Sequence, residues 1–477
     1  MSEHVDVLIV GAGISGISAA HHVLSALPDR SCAVLEARDS LGGTWDLFRY
    51  PGVRSDSDMH TLGYRFRPWS LPESIAPGGA IRDYLGDTAA RSGVTDRIRL
   101  RHRVSRAEWS SADNRWVVHA EHDGEPVVLT CDFLHLCAGY YRYDRGYRPD
   151  FPGLADFGGR VVHPQQWPDD LDCAGKRVVV IGSGATAITL LPALAPSAGH
   201  VTMLQRSPGY VASVPNDDRI ARALRRVGGH GAVRWRNIAL SSGLYHLSRR
   251  APKLVKRLLL KDVARRLPAN YPVREHFAPR YDPWDQRLCV APDGDLFTAI
   301  SSGRASVVTD RIARFTRTGI ELASGRELPA DVVVTATGLN LLPLGGIDLV
   351  VDGEPVRLPD KLVYRGTMLS DVPNLVFTVG YTNASWTLKA DLVSEFLVRV
   401  LRHMAEHGYR RCAPHTDNAG MATRPLLDLS AGYVRRSVHE FPRAGAEGPW
   451  KPVRGYLPDI VSLRHRPVAD GALVFTA

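Results

Sequence analysis

The chain has 477 residues, 44% of them hydrophobic, so it is long enough for two or three domains that each bury a core. Its 59 Lys and Arg residues exceed its 50 Asp and Glu residues, and the net charge of +9 favours anionic partners such as phosphorylated cofactors or acidic lipids. No apolar run approaches the ~20 residues that cross a bilayer, and MSEH leads directly into an apolar strand without a signal peptide, so we expect a cytoplasmic protein.

The first predicted unit is the strand VDVLIV, the turn GAGISG, a helix and the strand SCAVLEA. In the turn, Gly11 permits the bend, Gly13 lets a pyrophosphate approach the backbone, and Gly16 lets helix and strand pack closely. Glu36 stands 20 residues after Gly16, where a carboxylate accepts hydrogen bonds from the hydroxyls of an unphosphorylated ribose. The unit is therefore predicted to bind FAD or NAD rather than NADP, and a purely structural glycine turn is the alternative.

A second unit of the same kind begins at Lys176, with the strand KRVVVIG, the turn GSGATA, a helix and the strand HVTMLQR. The position where an acid would end its second strand carries Arg206, whose guanidinium can bind a 2'-phosphate bidentately, so this unit is predicted to bind NADPH. A solvated surface arginine is the alternative. The candidate contacts in this unit are Gly182, Ser183, Gly184, Ala185, Thr186, Ala187, Arg206 and Ser207.

Between the units, residues 97–109 and 114–122 alternate like antiparallel strands, and 131–141 is typical of a buried strand. Residues 215–270 are predicted to be helical, and between Arg219 and Arg266 fourteen Lys or Arg residues accompany a single acid. Amphipathic helices with a solvated basic face explain this segment, and weak peripheral membrane contact is the alternative. No nucleic-acid recognition motif accompanies the charge, so no nucleic-acid partner is predicted. The last forty residues are predicted to wrap the surface.

A chain with one FAD site and one NADPH site is predicted to pass a hydride from nicotinamide to flavin. Residues 38–70 and 182–210, where a flavin disulfide reductase would carry its redox pair, contain no cysteine. The six cysteines also show no metal-ligand spacing, so no metal site is predicted. Two classes remain: a reductase or oxidase that passes electrons to a partner protein or to oxygen, and a monooxygenase.

The segment FGGRVVHPQQWP favours the second class. Its residues Phe157, Gly159, His163 and Trp167 match the pattern FxGxxxHxxxWP, by which the chain resembles class B flavin monooxygenases of the Baeyer–Villiger type, in particular the ethionamide-activating monooxygenases of actinobacteria. GGTW, RYPGVRSDSD, YDPWDQRLC and DVVVTATG extend the resemblance over nearly the whole chain. The resemblance implies that this segment links the two domains, and that His163 couples domain motion to catalysis without donating a proton.

The same resemblance implies roles for individual side chains. Arg287 would stabilise a flavin C4a-peroxide and the charge that develops on the substrate, with a salt-bridged structural role as the alternative. Asp56 would orient Arg287, and Arg54 and Ser55 would approach NADPH. Gln286 departs from the Lys that relatives often carry, which leaves Arg206 as the main anchor of the 2'-phosphate. Residues implied to line FAD are Ser15, Gly43, Thr44, Trp45, Asp46, Leu47 and Val104, with core packing as the alternative for Trp45.

The sequence thus predicts an α/β protein with two Rossmann-like dinucleotide-binding domains and a helical insertion. The predicted parts are an FAD domain (1–143 and 340–477), a linker (144–156), an NADPH domain (157–212 and 278–339) and the insertion (213–277). The predicted activity is an FAD-containing, NADPH-dependent monooxygenase that oxygenates ketones to esters or lactones, or attacks sulfur compounds. The sequence leaves the physiological substrate and the oligomeric state open.

Overall fold

The computed structural model describes residues 3–418, 420–427, 430–452 and 455–477. None of the helices in these ranges combines the length and the apolar composition that a bilayer crossing requires. The strands, in chain order, are β1 (Glu3–Val10), β2 (Cys32–Leu35), β3 (Ile98–Arg99), β4 (His102–Ser110), β5 (Arg115–His122), β6 (Glu125–Leu136), β7 (Arg160–Val162), β8 (Arg177–Ile181), β9 (His200–Gln205), β10 (Val211–Val214), β11 (Cys289–Pro292), β12 (Ala305–Thr309), β13 (Ile312–Phe315), β14 (Gly319–Leu322), β15 (Glu327–Pro329), β16 (Val332–Thr335), β17 (Asp348–Val351), β18 (Glu354–Pro355), β19 (Val363–Tyr364), β20 (Met368–Leu369), β21 (Leu375–Phe377), β22 (Arg411–Pro414), β23 (Thr423–Pro425), β24 (Arg443–Gly445) and β25 (Leu473–Thr476). The α-helices are α1 (Ile14–Ala26), α2 (Thr44–Leu47), α3 (Met59–Leu62), α4 (Gly78–Arg91), α5 (Ala185–Leu194), α6 (Arg219–Arg250), α7 (Pro252–Arg266), α8 (Val273–Phe277), α9 (Asp295–Ser301), α10 (Trp386–His407), α11 (Gly432–Ser437) and α12 (Tyr456–Asp459).

The first sheet contains the N-terminal Rossmann unit. Its strand order is β18-β17-β4-β5-β6-β1-β2-β3, and β21 pairs with β6. β1 runs parallel to β2 and β6, whereas β4, β5 and β6 form an antiparallel meander, as the alternating sequence predicted. One face of β1 is covered by α1 and α10, because Val7 and Ile9 point into the same apolar core as Ile17 and Phe396. The second glycine-turn unit forms a sheet of its own.

That second sheet is parallel throughout, in the order β12-β9-β8-β16-β7. Its central strand β8 is buried from Val178 to Ile181, which explains the unbroken apolar run of its sequence. The predicted α/β class with two Rossmann-like units is therefore confirmed.

The predicted insertion contains two long helices, α6 and α7, and the short helix α8. Asp218 caps α6, since its carboxylate accepts hydrogen bonds from the backbone N–H groups of Ile220 (2.9 Å) and Ala221 (3.0 Å). Gly229 interrupts α6 with a φ of 68°, which kinks the helix. Val263 on α7 is buried against the core of the second sheet, so the insertion packs on that domain.

Several residues of the C-terminal segment are buried, although the sequence predicted a surface segment. Trp450 and Leu463 are buried in the core of the first domain. Asp459 is also buried, and its Oδ2 accepts hydrogen bonds from Lys389 Nζ on α10 (2.8 Å) and from the hydroxyl of Tyr381 (2.6 Å). The prediction that the last forty residues only wrap the surface is wrong here, because a buried ion pair holds them against α10.

Candidate active site

A cavity of about 2330 Å³ lies between the two sheets, and both glycine turns open into it. In the first turn Gly11 has a φ of 104°, and a Cβ there would stand 2.7 Å from the carbonyl oxygen of Cys137. A Cβ on Gly16 would stand 1.8 Å from the carbonyl oxygen of Gly11, so helix α1 packs at a distance that only glycine allows. This leaves the amino end of α1, with its unpaired N–H groups, facing the cavity.

Glu36 ends the strand beside this turn and is buried. Its Oε2 accepts the backbone N–H of Ala12 at 2.7 Å, and its Oε1 accepts that of Arg38 at 3.0 Å. Burial raises the pKa of Glu36, while these two hydrogen bonds oppose the rise. Each carboxylate oxygen keeps a further lone pair, so Glu36 can accept two hydroxyl hydrogen bonds from a ribose.

The second turn has the same construction. Gly182 has a φ of 140°, and a Cβ there would lie 2.2 Å from the carbonyl oxygen of Ala336. A Cβ added to Gly184, by contrast, would meet no atom within 4 Å, so a ligand can approach the backbone at this residue. Ser183 and Ser207 lie together at the carboxyl ends of β8 and β9, since the Ser183 hydroxyl donates to the Ser207 carbonyl at 3.1 Å. Phosphate oxygens can approach α5 at this point.

Arg206 lines the same end of the cavity and is exposed. Within the described residues, no carboxylate lies within 4 Å of its guanidinium. The preceding residue, Gln205, is instead buried, and its amide donates to the His276 carbonyl (2.8 Å) and to the Thr309 hydroxyl (2.9 Å). A cation free of carboxylate partners at this position suits a phosphate ligand. Arg311 lines the cavity too, which the sequence did not suggest.

Most of the sequence-predicted contacts line this cavity, and a few do not. Those that line it are Gly11, Gly13, Ser15, Glu36, Gly43, Thr44, Trp45, Arg54, Asp56, Val104, Gly182, Ser183, Gly184, Ala185, Thr186, Arg206, Ser207 and Arg287. Those outside its lining are Gly16, Asp46, Leu47, Ser55 and Ala187. Asp46 is buried and accepts hydrogen bonds from Arg38 and Ser40, both at 2.6 Å. It therefore fixes the loop that carries Gly43 to Trp45.

Arg287 and Asp56 meet across the middle of the cavity. The Nη1 atom of Arg287 lies 2.6 Å from Asp56 Oδ2, and its Nη2 lies 3.4 Å from the Tyr140 hydroxyl. Its Nε is buried and has no partner among the described residues. The neighbouring Tyr140 oxygen and then Asp56 hold the pKa of Arg287 above its usual value. The guanidinium is therefore charged at any working pH and keeps donor capacity for a ligand.

A second ion pair joins the first domain to the second. Arg54, which follows β2 in the first domain, pairs with Asp295 at the start of α9 in the second domain. Ser55 turns away from the cavity, and its hydroxyl accepts the backbone N–H of Ala76 at 3.1 Å. The loop 54–56 thus contributes one side chain to the domain contact, one to its own support and one to the Arg287 pair.

Aromatic residues that sequence reasoning did not select surround Arg287. Tyr140 stacks on Trp386 with ring centroids 5.2 Å apart, and the Trp386 indole donates to the Ser15 hydroxyl at 2.7 Å. Burial raises the pKa of Tyr433 to about 12, so this phenol is neutral. Trp284 lies three residues before Arg287 with a φ of 73°, which marks a sharply turned loop. For Tyr140, the signal in the sequence was the aromatic-rich run YYRYDRGY, which follows β6.

The fingerprint residues lie outside the cavity lining, at the crossing between the domains. Phe157 packs edge-on to Phe315 with a centroid separation of 5.9 Å, and Trp167 packs on the core of the second sheet. A Cβ on Gly159 would stand 2.3 Å from the Asp331 carbonyl. His163 Nε2 lies 3.2 Å from the Gly338 carbonyl, in the strand exit that returns the chain to the first domain.

The other segment that connects the two domains also contacts His163. A Cβ on Gly146 would overlap the His163 ring, and the amide of Gln165 donates to the carbonyls of Arg142 (2.8 Å) and Tyr143 (3.0 Å). The Tyr147 N–H also donates to the Gly338 carbonyl at 3.0 Å. His163 therefore contacts both of the segments that connect the two sheets.

Replacing His163 with Gln should flatten the dependence of stability on pH between about 5 and 7. Burial lowers the pKa of His163, whereas the unfolded chain binds a proton near 6.5. The folded state therefore loses stability as the pH falls below about 6.5, and stability is full above it. Thermal unfolding midpoints across this range would measure the effect, with exposed His439→Gln as the matched control. Equal slopes in wild type and H163Q would contradict the assignment.

One group of side chains outside the cavity could hold a cation, although the sequence predicted no metal site. The ligand atoms of His403, Glu406 and His407, at the end of α10, lie within 4.8 Å of one another. None of the three lines the cavity.

Comparisons with known proteins show which family this chain resembles. The family described as flavin-binding monooxygenase-like matches residues 71–224, and the NAD(P)-binding Rossmann-like domain matches residues 9–68. The FAD-containing monooxygenase EthA of Mycobacterium tuberculosis is 52% identical over 480 residues, covering 100% of this chain and 98% of the relative. The probable FAD-binding monooxygenase AlmA of Acinetobacter baylyi is 45% identical over 482 residues, covering 100% and 97%.

Solved structures share the fold at lower identity. OTEMO in complex with FAD and NADP superposes with a TM-score of 0.76 at 21% identity, covering 100% of both chains. Oxidized steroid monooxygenase bound to NADP superposes with a TM-score of 0.73 at 24% identity, covering 87% of this chain and 88% of that one.

Proposed function

This chain belongs to the FAD-containing monooxygenases, and from that premise we propose that it uses NADPH and molecular oxygen to insert one oxygen atom into a small organic substrate. We place the reaction on ketones, which would become esters or lactones, and on sulfur compounds. The observation that carries the proposal is the charged Arg287, which is held by Asp56 and Tyr140 in a cavity shared by two nucleotide turns. The six cysteines are free and buried, which supports a reducing, cytoplasmic location.

The residues present fit the two cofactors. The first turn, with Gly11, Gly13 and Glu36, would hold FAD, because Gly11 allows a tight turn that a Cβ would block against the Cys137 carbonyl, and Glu36 keeps acceptors for a ribose. The second turn, with Gly184 and Arg206, would hold NADPH. When bound and reduced by NADPH, FAD would supply the electrons that activate molecular oxygen.

The chain's own contribution to the chemistry is charge placement. The Arg287 guanidinium would stabilise the negative charge that develops on the substrate oxygen, and it cannot lose its proton to that oxygen. Asp56 accepts from Nη1 and so fixes the orientation of the guanidinium. The stacked rings of Tyr140 and Trp386 would form an apolar wall beside the guanidinium.

The test is an assay with ¹⁸O₂ and a panel of ketones and thioethers. We expect product to gain one ¹⁸O atom and to form in proportion to NADPH consumed. The competing function, a flavoprotein reductase or oxidase, would consume NADPH while it releases hydrogen peroxide or reduces an added acceptor, and no labelled product would form. That outcome on the whole panel would reject the proposal.

Replacing Arg206 with Ala should raise the KM for NADPH by about tenfold or more while the KM for NADH changes little. A charged hydrogen bond to phosphate contributes about 1.5–3 kcal/mol, and NADH lacks the phosphate. Steady-state kinetics with both coenzymes would measure the split. Arg304→Ala, an exposed arginine outside the cavity lining, is the matched control. Equal increases for both coenzymes would argue against phosphate recognition.

A further inference from the structure

Both long helices of the insertion carry exposed leucines. Leu240, Leu244 and Leu247 on α6 are 57%, 38% and 42% exposed. Their spacing of four and three residues places them on a single stripe of the helix. On α7, Leu254 and Leu258 are 46% and 53% exposed and again lie four residues apart. Val255 and Val263 of the same helix are buried, in contrast to these leucines.

Cations surround these leucines. Lys261 and Arg265 continue the stripe of Leu254 and Leu258 by one and two further turns of α7, and Arg250, Lys253 and Arg257 flank it. All five are exposed. In the part of the chain that the structure describes, none of the five has a carboxylate within salt-bridge distance. Four other cations of the insertion, Arg222, Arg236, Arg249 and Arg266, each pair with an aspartate.

The surface adjoins the mouth of the cavity. Leu240 and Leu244 line the cavity while remaining exposed, so they stand at its rim. Tyr245 of α6 packs edge-on to Trp284, at a centroid distance of 5.8 Å, and Trp284 also lines the cavity. The leucine stripe of α6 therefore extends to the cavity that contains Arg287.

We propose that α6 and α7 dock on an anionic lipid surface, with the leucines in the acyl boundary and the unpaired cations among the headgroups. Apolar side chains interleaved with cations bind such an interface, whereas nucleic acid would leave the leucines without a partner. The mouth of the cavity then faces the bilayer. Given the proposed function, this admits lipophilic substrates that partition into membranes.

The experiment measures co-sedimentation of the flavin-loaded protein with vesicles of phosphatidylcholine alone and with about one third phosphatidylglycerol. We expect binding to the anionic vesicles only. The variant Leu247→Gln/Leu254→Gln/Leu258→Gln and the variant Arg250→Gln/Lys253→Gln/Arg257→Gln should each lower the partition coefficient, the second by about 100-fold. None of these six residues lines the cavity, so NADPH turnover serves as the folding control. The matched variant Leu71→Gln/Leu457→Gln, with two leucines that are each 47% exposed elsewhere, should bind like wild type.

Four results would overturn the docking proposal. They are no binding to either vesicle, binding that the leucine variant leaves unchanged, equal binding to duplex DNA or RNA, and self-association that only the leucine variant abolishes. The vesicle measurement needs no turnover, so a protein that binds vesicles but makes no oxygenated product would refute the proposed function alone.

Discussion

Replacing Arg287 with Ala is expected to lower oxygenated product per NADPH consumed by about 10²–10³-fold, because one preorganised donor to a developing oxyanion contributes this much. Flavin reduction by NADPH should continue at near the wild-type rate, since the two nucleotide turns are untouched. The lost product should appear as hydrogen peroxide. Anaerobic flavin bleaching, peroxide release and product mass measure the three quantities in one preparation.

Arg287→Lys is the informative control for this change. A lysine keeps the positive charge but cannot hold Asp56 and Tyr140 simultaneously in the planar geometry of the guanidinium. We expect partial recovery of product with Lys and loss again in an Asp56→Asn variant. Product formation by R287A at the wild-type yield would reject the role given to this side chain.

The second large effect concerns stability. Lys389→Met should destabilise the first domain by ~3–5 kcal/mol, because it leaves the buried Asp459 carboxylate without its cation. The side chains of Lys389 and Asp459 are 6% and 1% exposed, so bulk solvent does not solvate the carboxylate that remains. The midpoint of chemical unfolding, followed by tryptophan fluorescence, measures the loss.

A double variant makes this prediction testable even if K389M fails to accumulate. Lys389→Met/Asp459→Leu removes both charges and should recover most of the lost stability, since apolar replacement of a buried pair is often neutral. If the double variant were as unstable as the single one, the packing of the segment rather than its charge would explain the result.

Local rules explain why the two glycine turns could be predicted. Gly11 and Gly182 adopt positive φ and lie very close to neighbouring carbonyls. Only glycine fits such positions, so the glycines in the sequence indicate the turns directly. The alternating strands β4 and β5 and the buried strand β8 were predictable for the same reason, because side-chain periodicity is a local property.

What the sequence did not reveal depends on distant neighbours. Tyr140, Tyr433 and Trp386 come from three separate parts of the chain, and only the folded sheets bring them around Arg287. Asp46 and Ser55 belong to motif segments that line the cavity, yet their side chains support the loop from behind. A motif identifies the segment, and the direction of each side chain requires the tertiary structure.

Two ion pairs, Asp56 with Arg287 and Arg54 with Asp295, each join an N-terminal residue to one more than two hundred positions later. Neither half of the polypeptide therefore contains all the charged partners of the site. Separately produced halves would each expose unmatched charge, and a chimera that exchanges one Rossmann unit between relatives must exchange these partners as a set.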